Sequence, residues 1–472
     1  MSGQPIATSE RAHFGFIAGI VVVATIGGFM FGYDSGVING TQKGLESAFD
    51  LGRLGIGINV GAILVGSAVG AFMAGRLSDL LGRRRVMLLA AALFLISAIV
   101  SGAADGSAVF ILGRILGGLG VGAASVVSPV YISEVTPAHV RGRLSSVQQV
   151  MIVTGLTGAF VANYMIAHYA GGSTATWWLG MPAWRWMFWL QALPALIYFL
   201  SLQFIPESPR YLVLKGREDE ARAVLVRLFG PAEAELKISE IRASLLADHK
   251  PKMADLRDTT TGRIRPIVWT GIGLAVFQQL VGINVVFYYG ATLWQAAGFS
   301  ENDALLTNIL SGALSIGACF ITIATVDRIG RKPLLLIGSA GMAVTLALVA
   351  YAFSTAVTDA AGSVSLPGSN GLLALVAANL YVVFFNLSWG PVMWVMLGEM
   401  FPTQIRGSGL AVAGFAQWIA NAAVSVSFPA LAVSPGLAST YYGYAFFALV
   451  SFFFVRALVR ETRGRELEDM QG

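Results

Sequence analysis

Long runs of apolar residues, separated by short polar segments, make up most of the chain. About 20 mostly apolar residues are needed for a helix to cross a bilayer, and the runs have that length. The pattern therefore predicts an all-α membrane protein with twelve transmembrane helices and both termini on one side. The predicted spans are residues 14–38, 55–76, 86–105, 108–131, 147–170, 184–205, 266–290, 304–326, 333–356, 372–397, 408–431 and 440–459.

One long polar segment, residues 206–264, separates six spans from six spans. Its charged stretches, Lys215–Arg222 and Leu236–Lys252, predict short amphipathic helices on the membrane surface. We therefore expect three units. These are a six-helix half over 1–205, a helical linker over 206–264, and a six-helix half with a short tail over 265–472.

The composition supports a membrane protein and excludes several other classes. Only 12% of the 472 residues are charged, whereas soluble domains have about 25%. The formal net charge of +5 does not indicate nucleic-acid binding, because it follows from where Lys and Arg lie relative to the membrane. The single cysteine, Cys319, excludes an intrachain disulfide.

Basic residues occur mainly in the loops after even-numbered spans. By the positive-inside rule these loops and both termini are expected to be cytoplasmic. The opposite loops carry little basic charge beyond Lys43 and Arg53. The basic residues that set this orientation are Arg83, Arg84, Arg85, His139, Arg141, Arg143, Arg328, Arg331, Lys332, Arg406, Arg463 and Arg465.

The two sets of spans carry related polar motifs. Asp79-Leu-Leu-Gly-Arg-Arg follows the second span, and Asp327-Arg-Ile-Gly-Arg-Lys follows the eighth. A Glu-x-x-Pro segment begins at Glu134 after the fourth span and again at Glu399 after the tenth. Parallel six-span repeats are typical of transporters that alternate access to a site near the bilayer midplane.

These motifs predict a cytoplasmic gate. Asp and Arg can form charge-assisted hydrogen bonds between helix ends, and Gly allows a tight turn between spans. Such clusters would hold the cytoplasmic side closed when the site faces outward. The alternative is that the basic loops only fix the topology. The predicted gate residues are Gly75, Arg76, Asp79, Arg83, Arg84, Glu134, Arg141, Asp327, Arg331, Glu399 and Arg406.

Further motifs are Pro206–Arg210, Gln278–Asn284, Ser388–Pro391 and Glu461–Gly464. Together with the gate motifs they resemble the sugar porter family of the major facilitator superfamily along nearly the whole chain. The resemblance implies the major facilitator fold, with two six-helix pseudo-repeats joined by a cytoplasmic helical linker. It also implies similarity to bacterial proton-coupled symporters of the xylose and glucose type, which need no cofactor.

Neutral amides and aromatic rings in the spans are candidates for binding a monosaccharide. An amide supplies a donor and an acceptor without net charge, which suits a neutral polyol. Gln278 and Asn284 cannot share one face of a regular helix, so a break is expected near Gly282. Each amide could instead form an interhelical hydrogen bond, and each ring could pack or face lipid. The resemblance implies sugar binding by Gln149, Gln278, Gln279, Asn284, Trp389, Gln417 and Trp418, and Phe31 and Tyr288 are further stacking candidates.

The chain departs from the family pattern at two places in the predicted site. Ser315 stands where the family often has an Asn in the eighth span, and Leu156 where some members have a second Gln in the fifth. These departures imply fewer polar contacts with the sugar.

Asp34 and Arg114 are candidates for proton coupling. An ionised carboxylate at membrane depth costs about 2.5–3.5 kcal/mol even on lenient scales, and a buried guanidinium requires an anion. Contact with Arg114 would favour the ionised form of Asp34, and loss of that contact would favour its protonation. The alternative is that Asp34 lies at a helix end and reaches interfacial water.

The residues leave other functions open. Bacterial symporters of this type can carry a Glu in the sixth span that meets the Arg, and here Gln191 stands there, which leaves facilitated diffusion as an alternative. A sugar sensor or a membrane enzyme is less consistent, because the tail after Arg460 is short and the four histidines lack metal-ligand spacing. The expected protein is a bacterial inner-membrane transporter that works as a monomer, with a monosaccharide, protons and the bilayer as partners.

Overall fold

The computed structural model describes residues 8–247, 256–258, 262–358, 364–402 and 405–463, without side-chain detail for 8–14, 138–146, 244–247, 358 and 364–365. Eighteen α-helices account for most of this part of the chain. They are α1 Thr8–Phe49, α2 Arg53–Leu81, α3 Arg83–Ala103, α4 Ser107–Val135, α5 Ala138–Ala170, α6 Ala183–Leu190, α7 Ala192–Ser201, α8 Pro209–Leu214, α9 Glu218–Phe229, α10 Pro231–Ala247, α11 Pro266–Leu280, α12 Ile283–Ala296, α13 Glu301–Ile329, α14 Arg331–Ser354, α15 Asn370–Leu387, α16 Trp389–Met400, α17 Arg406–Leu431 and α18 Leu437–Leu458.

Other regular structure is minor. Two-residue strands, β1 Val357–Thr358 and β2 Val364–Ser365, pair antiparallel in the loop between α14 and α15. The all-α class expected from the hydropathy pattern is therefore confirmed, with this hairpin as a small addition. We call α1–α7 the first half and α11–α18 the second half.

The described chain contains ten helical stretches that are long and apolar enough to cross a membrane. Two features explain why this number is lower than the twelve expected spans. The last stretch, Arg406–Leu458, contains both the eleventh and the twelfth span. The sixth span is divided at Gln191 into the short helices α6 and α7. Pro194 has no backbone N–H to donate one turn back, which weakens the helix at this point.

Two further spans are discontinuous. The seventh is divided between α11 and α12 at Gly282, where φ is 81° and ψ is 21°, so the expected break is confirmed. A Cβ atom on Gly282 would lie 2.6 Å from the Tyr444 ring, which also favours glycine. The tenth span is divided at Ser388, a break that the sequence analysis does not predict. Both breaks lie next to predicted sugar-binding residues.

Helix α1 continues eleven positions beyond the predicted end of the first span, from 38 to 49. This extension contains Asn39, Thr41 and Gln42, all buried. Asp34 consequently lies well inside a long helix, and its side chain is fully buried. The alternative that Asp34 reaches water at a helix end is therefore wrong for this structure.

The polar segment contains three helices: α9 and α10 overlap the two stretches in which amphipathic helices are expected, and α8 precedes both. Residues 248–255, which include the end of the predicted Leu236–Lys252 helix, lie outside the described residues. Arg227 of α9 lies over the ring of Phe16 at 4.3 Å, so the linker contacts the start of α1. This places the linker on the side of the bundle where α1 begins and α2 ends, which we call the loop-motif side.

Candidate functional site

Asp34 and Arg114 form an ion pair in the interior of the first half. Asp34 Oδ1 lies 2.5 Å from Arg114 Nη1, and Arg114 Nη2 also donates to the backbone oxygen of Asp34 at 3.2 Å. Neither side chain has exposed surface. Asp34 Oδ2 and Arg114 Nε have no hydrogen-bond partner among the described residues. The two residues that were expected to pair are thus in contact through one carboxylate oxygen.

Neutral groups surround this ion pair. Gly117 of α4 leaves room for the carboxylate, because a Cβ atom there would lie 3.0 Å from Asp34 Oδ2. The Arg114 guanidinium lies over the ring of Phe188 at 5.7 Å. Gln191, three residues after Phe188, is fully buried, and neither amide atom has a partner. Gln191 cannot titrate, so the sixth span contributes no second acid here.

Four of the predicted sugar-binding amides form a connected cluster at the break in the seventh span. Gln278 Oε1 accepts from Gln279 Nε2 and from Gln417 Nε2, each at 3.0 Å. Asn284 Nδ2 donates to Gln279 Oε1 at 2.6 Å. Gln278 Nε2 donates to the backbone oxygen of Trp389 at 2.9 Å, at the start of α16. The two helix breaks therefore bring these amides together, as discontinuous helices do at transporter sites.

The predicted aromatic residues occupy three different positions. Phe31 of the first half lies 5.8 Å from Trp418 of the second half, so these rings meet across the interface between halves. Tyr288 is buried and interacts with the side chains of Asn421 and Ser35, next to Asp34.

Trp389 is fully buried, and its indole N–H donates to Ser339 Oγ at 2.9 Å. Its backbone oxygen, rather than its N–H, contacts the amide cluster.

The fifth and eighth spans contribute less. Gln149 is half-buried, and its side chain forms no hydrogen bond with a described residue. Leu156 is buried and cannot hydrogen-bond. Ser315 donates to the backbone oxygen of Ser311 at 2.7 Å and accepts from Asn386 at 3.1 Å, so it is engaged within the second half.

A second set of amides joins the two halves on the side opposite the loop motifs. Asn39 Nδ2 donates to the Phe287 backbone oxygen at 2.7 Å, and Asn39 Oδ1 accepts from Ala291 N at 3.1 Å and Asn308 Nδ2 at 2.8 Å. Gln42 bonds to the Tyr288 backbone oxygen and to Thr292. The sequence analysis missed this set, because an apolar pattern does not reveal the partner of a polar residue.

One more hydrogen bond joins the halves nearby, from the backbone N–H of Ser173 to Glu301 Oε1 at 3.0 Å. Apart from the contact between Tyr288 and Ser35 next to Asp34, the hydrogen bonds between described residues of the two halves lie on this side. The conformation is therefore closed on the side opposite the loop motifs.

The first-half gate motif forms a compact charge network. Arg83 binds Glu134 through two bonds of 3.1 Å, from Nε to Oε2 and from Nη2 to Oε1. Ser208 Oγ donates to Glu134 Oε2, the oxygen that also accepts from Arg83 Nε. Glu207 Oε1 accepts from the backbone N–H groups of Arg83 and Arg84 at the start of α3, at 2.9 and 3.1 Å. A carboxylate at this position stabilises a helix N-terminus.

The second half repeats the same network. Arg331 binds Glu399 at 3.0 and 2.8 Å, and Thr462 Oγ1 donates to Glu399 Oε2 at 2.6 Å. Glu461 accepts from the backbone N–H groups of Arg331 and Lys332 at the start of α14. Burial by itself would raise the pKa of Glu461, but bonds from four backbone N–H groups lower this pKa below its ordinary value.

Glu207, Ser208, Glu461 and Thr462 are functional candidates that the predicted gate omits. A signal was present in the sequence, because Pro206–Arg210 and Glu461–Gly464 each follow the last span of a half. Each of the two acids caps the helix that carries the gate arginine of its own half.

The other predicted gate residues are less engaged. Asp79 and Asp327 are exposed and pair one helical turn away with Arg83 at 3.1 Å and Arg331 at 2.9 Å. Arg84 donates to the backbone oxygens of Leu202 and Gln203. Gly75 and Arg76 are exposed, Arg406 donates only a 3.4 Å bond to the Phe401 backbone oxygen, and the Arg141 side chain lies outside the described residues.

Within the described ranges, no group of three or more His, Cys, Asp or Glu residues is placed to hold a metal ion. The candidate site thus contains buried amides and aromatic rings near the interface of the two halves, and one buried ion pair inside the first half.

Comparison with known proteins agrees with this arrangement. The family model described as "Sugar (and other) transporter" matches residues 20–472. A glucose transport protein of Synechocystis sp. is 48% identical, with 100% of each chain covered. The D-xylose-proton symporter of Escherichia coli is 36% identical, covering 97% of this chain and 95% of the relative.

The fold agrees as well. The inward open conformation of the xylose transporter XylE from E. coli superimposes with a TM-score of 0.81 at 34% identity, covering 96% of this chain and 99% of that one. This likeness confirms the twelve-helix major facilitator fold. The chain belongs to the sugar porter family of the major facilitator superfamily, and it is a membrane transporter rather than an enzyme.

Proposed function

We propose that this sugar transporter is a proton-coupled symporter that carries a neutral monosaccharide, a pentose or a hexose, into the cell by alternating access. The observation that carries this proposal is the Asp34–Arg114 pair. It is fully buried, and Asp34 Oδ2 has no partner. Such a carboxylate can exchange a proton when a conformational change alters its contact with the arginine.

The position of the pair supports coupling to the sugar. Tyr288 interacts with Ser35, the neighbour of Asp34, and with Asn421 of the second half. Tyr288 lies in α12, and Asn284 of the amide cluster is the second residue of the same helix. A movement of α12 on sugar binding would therefore reach the helix that carries Asp34.

The closed side supports a direction for the cycle. The positive-inside rule assigns the loop-motif side, with Arg83–Arg85 and Arg328–Lys332, to the cytoplasm. The hydrogen bonds of Asn39 and Gln42 then close the outer side, so this conformation faces the cytoplasm. We further propose that the protein resides in a bacterial inner membrane with both termini inside, and that one chain suffices for transport.

Facilitated diffusion is the second candidate, and Gln191 favours it. A buried amide replaces an acid that related symporters can use, so Asp34 would have to carry the proton alone. A uniporter would use Asp34 and Arg114 only to hold α1 against α4.

Labelled-sugar uptake into proteoliposomes distinguishes proton symport from facilitated diffusion. An inward proton gradient is expected to drive accumulation by the wild type. Asp34→Asn should abolish accumulation but preserve sugar exchange, while the exposed control Asp105→Asn should behave as wild type. Uptake that only equilibrates, and is the same with and without the gradient, would establish uniport.

A further inference from the structure

A cavity lies between the first half and its linker on the loop-motif side. Its volume is about 450 Å³, within the range of small-molecule sites. One wall is the turn from α2 to α3, with Leu81, Arg84, Arg85 and Leu88, and the other is formed by α8 and α9, with Tyr211 and Val224 among the lining residues. The proposed transport cycle assigns no ligand to this cavity, although Arg84 and Glu207 of the gate network line it.

The charges around the cavity leave an excess of positive charge. Its lining contains three arginines and two glutamates, namely Arg84, Arg85, Arg217, Glu207 and Glu220. Arg217 is paired with Glu220 through two hydrogen bonds of 2.7 and 2.6 Å. The Arg84 side chain donates to neutral backbone oxygens. The Arg85 side chain is exposed and forms no hydrogen bond or ion pair with any described residue.

The second half shows that Arg85 is not needed for the shared charge network. Arg83 and Arg84 correspond to Arg331 and Lys332, which also begin a helix capped by a glutamate. The residue after Lys332 is Pro333, in the place of Arg85. The network is complete in the second half without a basic residue there, so it does not require the positive charge of Arg85.

Apolar surface continues from the cavity toward the expected lipid. Phe204 is 83% exposed and Leu200 51%, and both precede Pro206, which lines the cavity. Leu80 and Leu89 flank the basic turn and are also exposed. A ligand that combines an anionic head with an apolar tail would match both surfaces. Basic pockets between helices on the cytoplasmic side are suited to lipid headgroups.

We propose that this cavity binds the phosphate group of an anionic phospholipid through Arg84 and Arg85. A guanidinium binds phosphate oxygens through charge-assisted hydrogen bonds, and two adjacent guanidinium groups suit one phosphate. The acyl chains then lie along Leu200 and Phe204. The ligand connects the α2–α3 turn to the linker helices, and its binding is independent of proton coupling.

The test measures the unfolding temperature of the full chain in detergent during titration with phosphatidylglycerol, phosphatidylcholine or inorganic phosphate. Arg85→Gln removes the unpaired cation. Arg53→Gln is the matched control, because Arg53 is exposed and lies at the other end of α2. Without added lipid, all three proteins should unfold at the same temperature, since neither side chain has a described partner.

Phosphatidylglycerol should stabilise the wild type and Arg53→Gln more than phosphatidylcholine does. Arg85→Gln should need about fivefold more phosphatidylglycerol for the same shift, as expected for one basic residue near an anionic headgroup. If inorganic phosphate alone reproduces the stabilisation of the wild type but not of Arg85→Gln, the phosphate is a free ion and not a lipid. An equal response of Arg85→Gln and wild type to both ligands would overturn the site.

Discussion

Gln417 of the eleventh span donates a hydrogen bond to Gln278 of the seventh span, over 3.0 Å between Nε2 and Oε1. This contact, and those of Gln279 and Asn284, join four of the amides predicted to bind sugar, while Gln417 Oε1 is left without a partner among the described residues. If the cluster binds sugar, the hydroxyl groups of the sugar replace these bonds. Each exchange contributes only about 0.5–1.5 kcal/mol, so a modest affinity is expected.

Gln279→Ala should weaken sugar binding about tenfold, because it removes an amide that has both donor and acceptor roles in the cluster. Binding is measured by titration calorimetry on purified protein, with the unfolding temperature as a test of folding. Gln203→Ala, an exposed glutamine on the loop-motif side, is the matched control. Unchanged affinity in Gln279→Ala would exclude this cluster as the binding site.

Arg114→Ala should abolish gradient-driven accumulation and lower stability. Removal of one partner from a buried ion pair costs roughly 3–5 kcal/mol, because the other charge is left uncompensated. The double variant Asp34→Asn with Arg114→Ala separates the two effects. It should recover much of the unfolding temperature but not the accumulation. Normal accumulation by Arg114→Ala would remove this arginine from the coupling scheme.

Asp79→Asn should slow turnover while leaving equilibrium sugar binding and stability nearly unchanged. Asp79 is exposed, and an exposed ion pair contributes at most about 1 kcal/mol. Glu134→Gln should be more destabilising, because Glu134 holds the nearly buried Arg83. The two variants are compared by their rates of sugar exchange and by their unfolding temperatures. Wild-type turnover in Asp79→Asn would favour a purely topological role for the basic loops.

Glu461 is expected to make the stability of the folded protein depend on pH, separately from the proposed proton coupling of transport. Its pKa is lowered in the folded protein, so its stabilising effect is present above the unfolded pKa of about 4.5 and is lost as the pH falls through the folded value. Glu461→Gln should therefore destabilise the protein at neutral pH and reduce the loss of stability in acid. The exposed control Glu240→Gln should retain the wild-type profile. The measurement is the unfolding temperature between pH 3 and 8. Parallel pH profiles of this temperature for Glu461→Gln and wild type would contradict the prediction.

Much of the architecture was predictable, because lipid requires long apolar helices and restricts charge to the loops. The break at Gly282 was also predictable, because Gln278 and Asn284 lie on different faces of a regular helix but were expected to bind the same sugar. The contact between Asp34 and Arg114 followed from the cost of an unpaired charge in the membrane.

The remaining features were not predicted. The break at Ser388 had a local signal that was missed, because Pro391, like Pro194 after Gln191, has no backbone N–H to donate one turn back. Asn39 lies beyond the predicted first span, and its role requires knowledge of α12 and α13. The capping roles of Glu207 and Glu461 were missed because their partners are backbone groups more than a hundred residues away.

The hydrogen bonds of Asn39 and Gln42 have a consequence for the energetics of opening. They involve only neutral amides, a hydroxyl and backbone groups. Separating the halves there moves no formal charge of these residues through the electric field, and salt does not screen such contacts as it screens ion pairs. If Asp34 carries the proton as proposed, the membrane potential acts on the cycle through that proton and not through the contacts of Asn39 and Gln42.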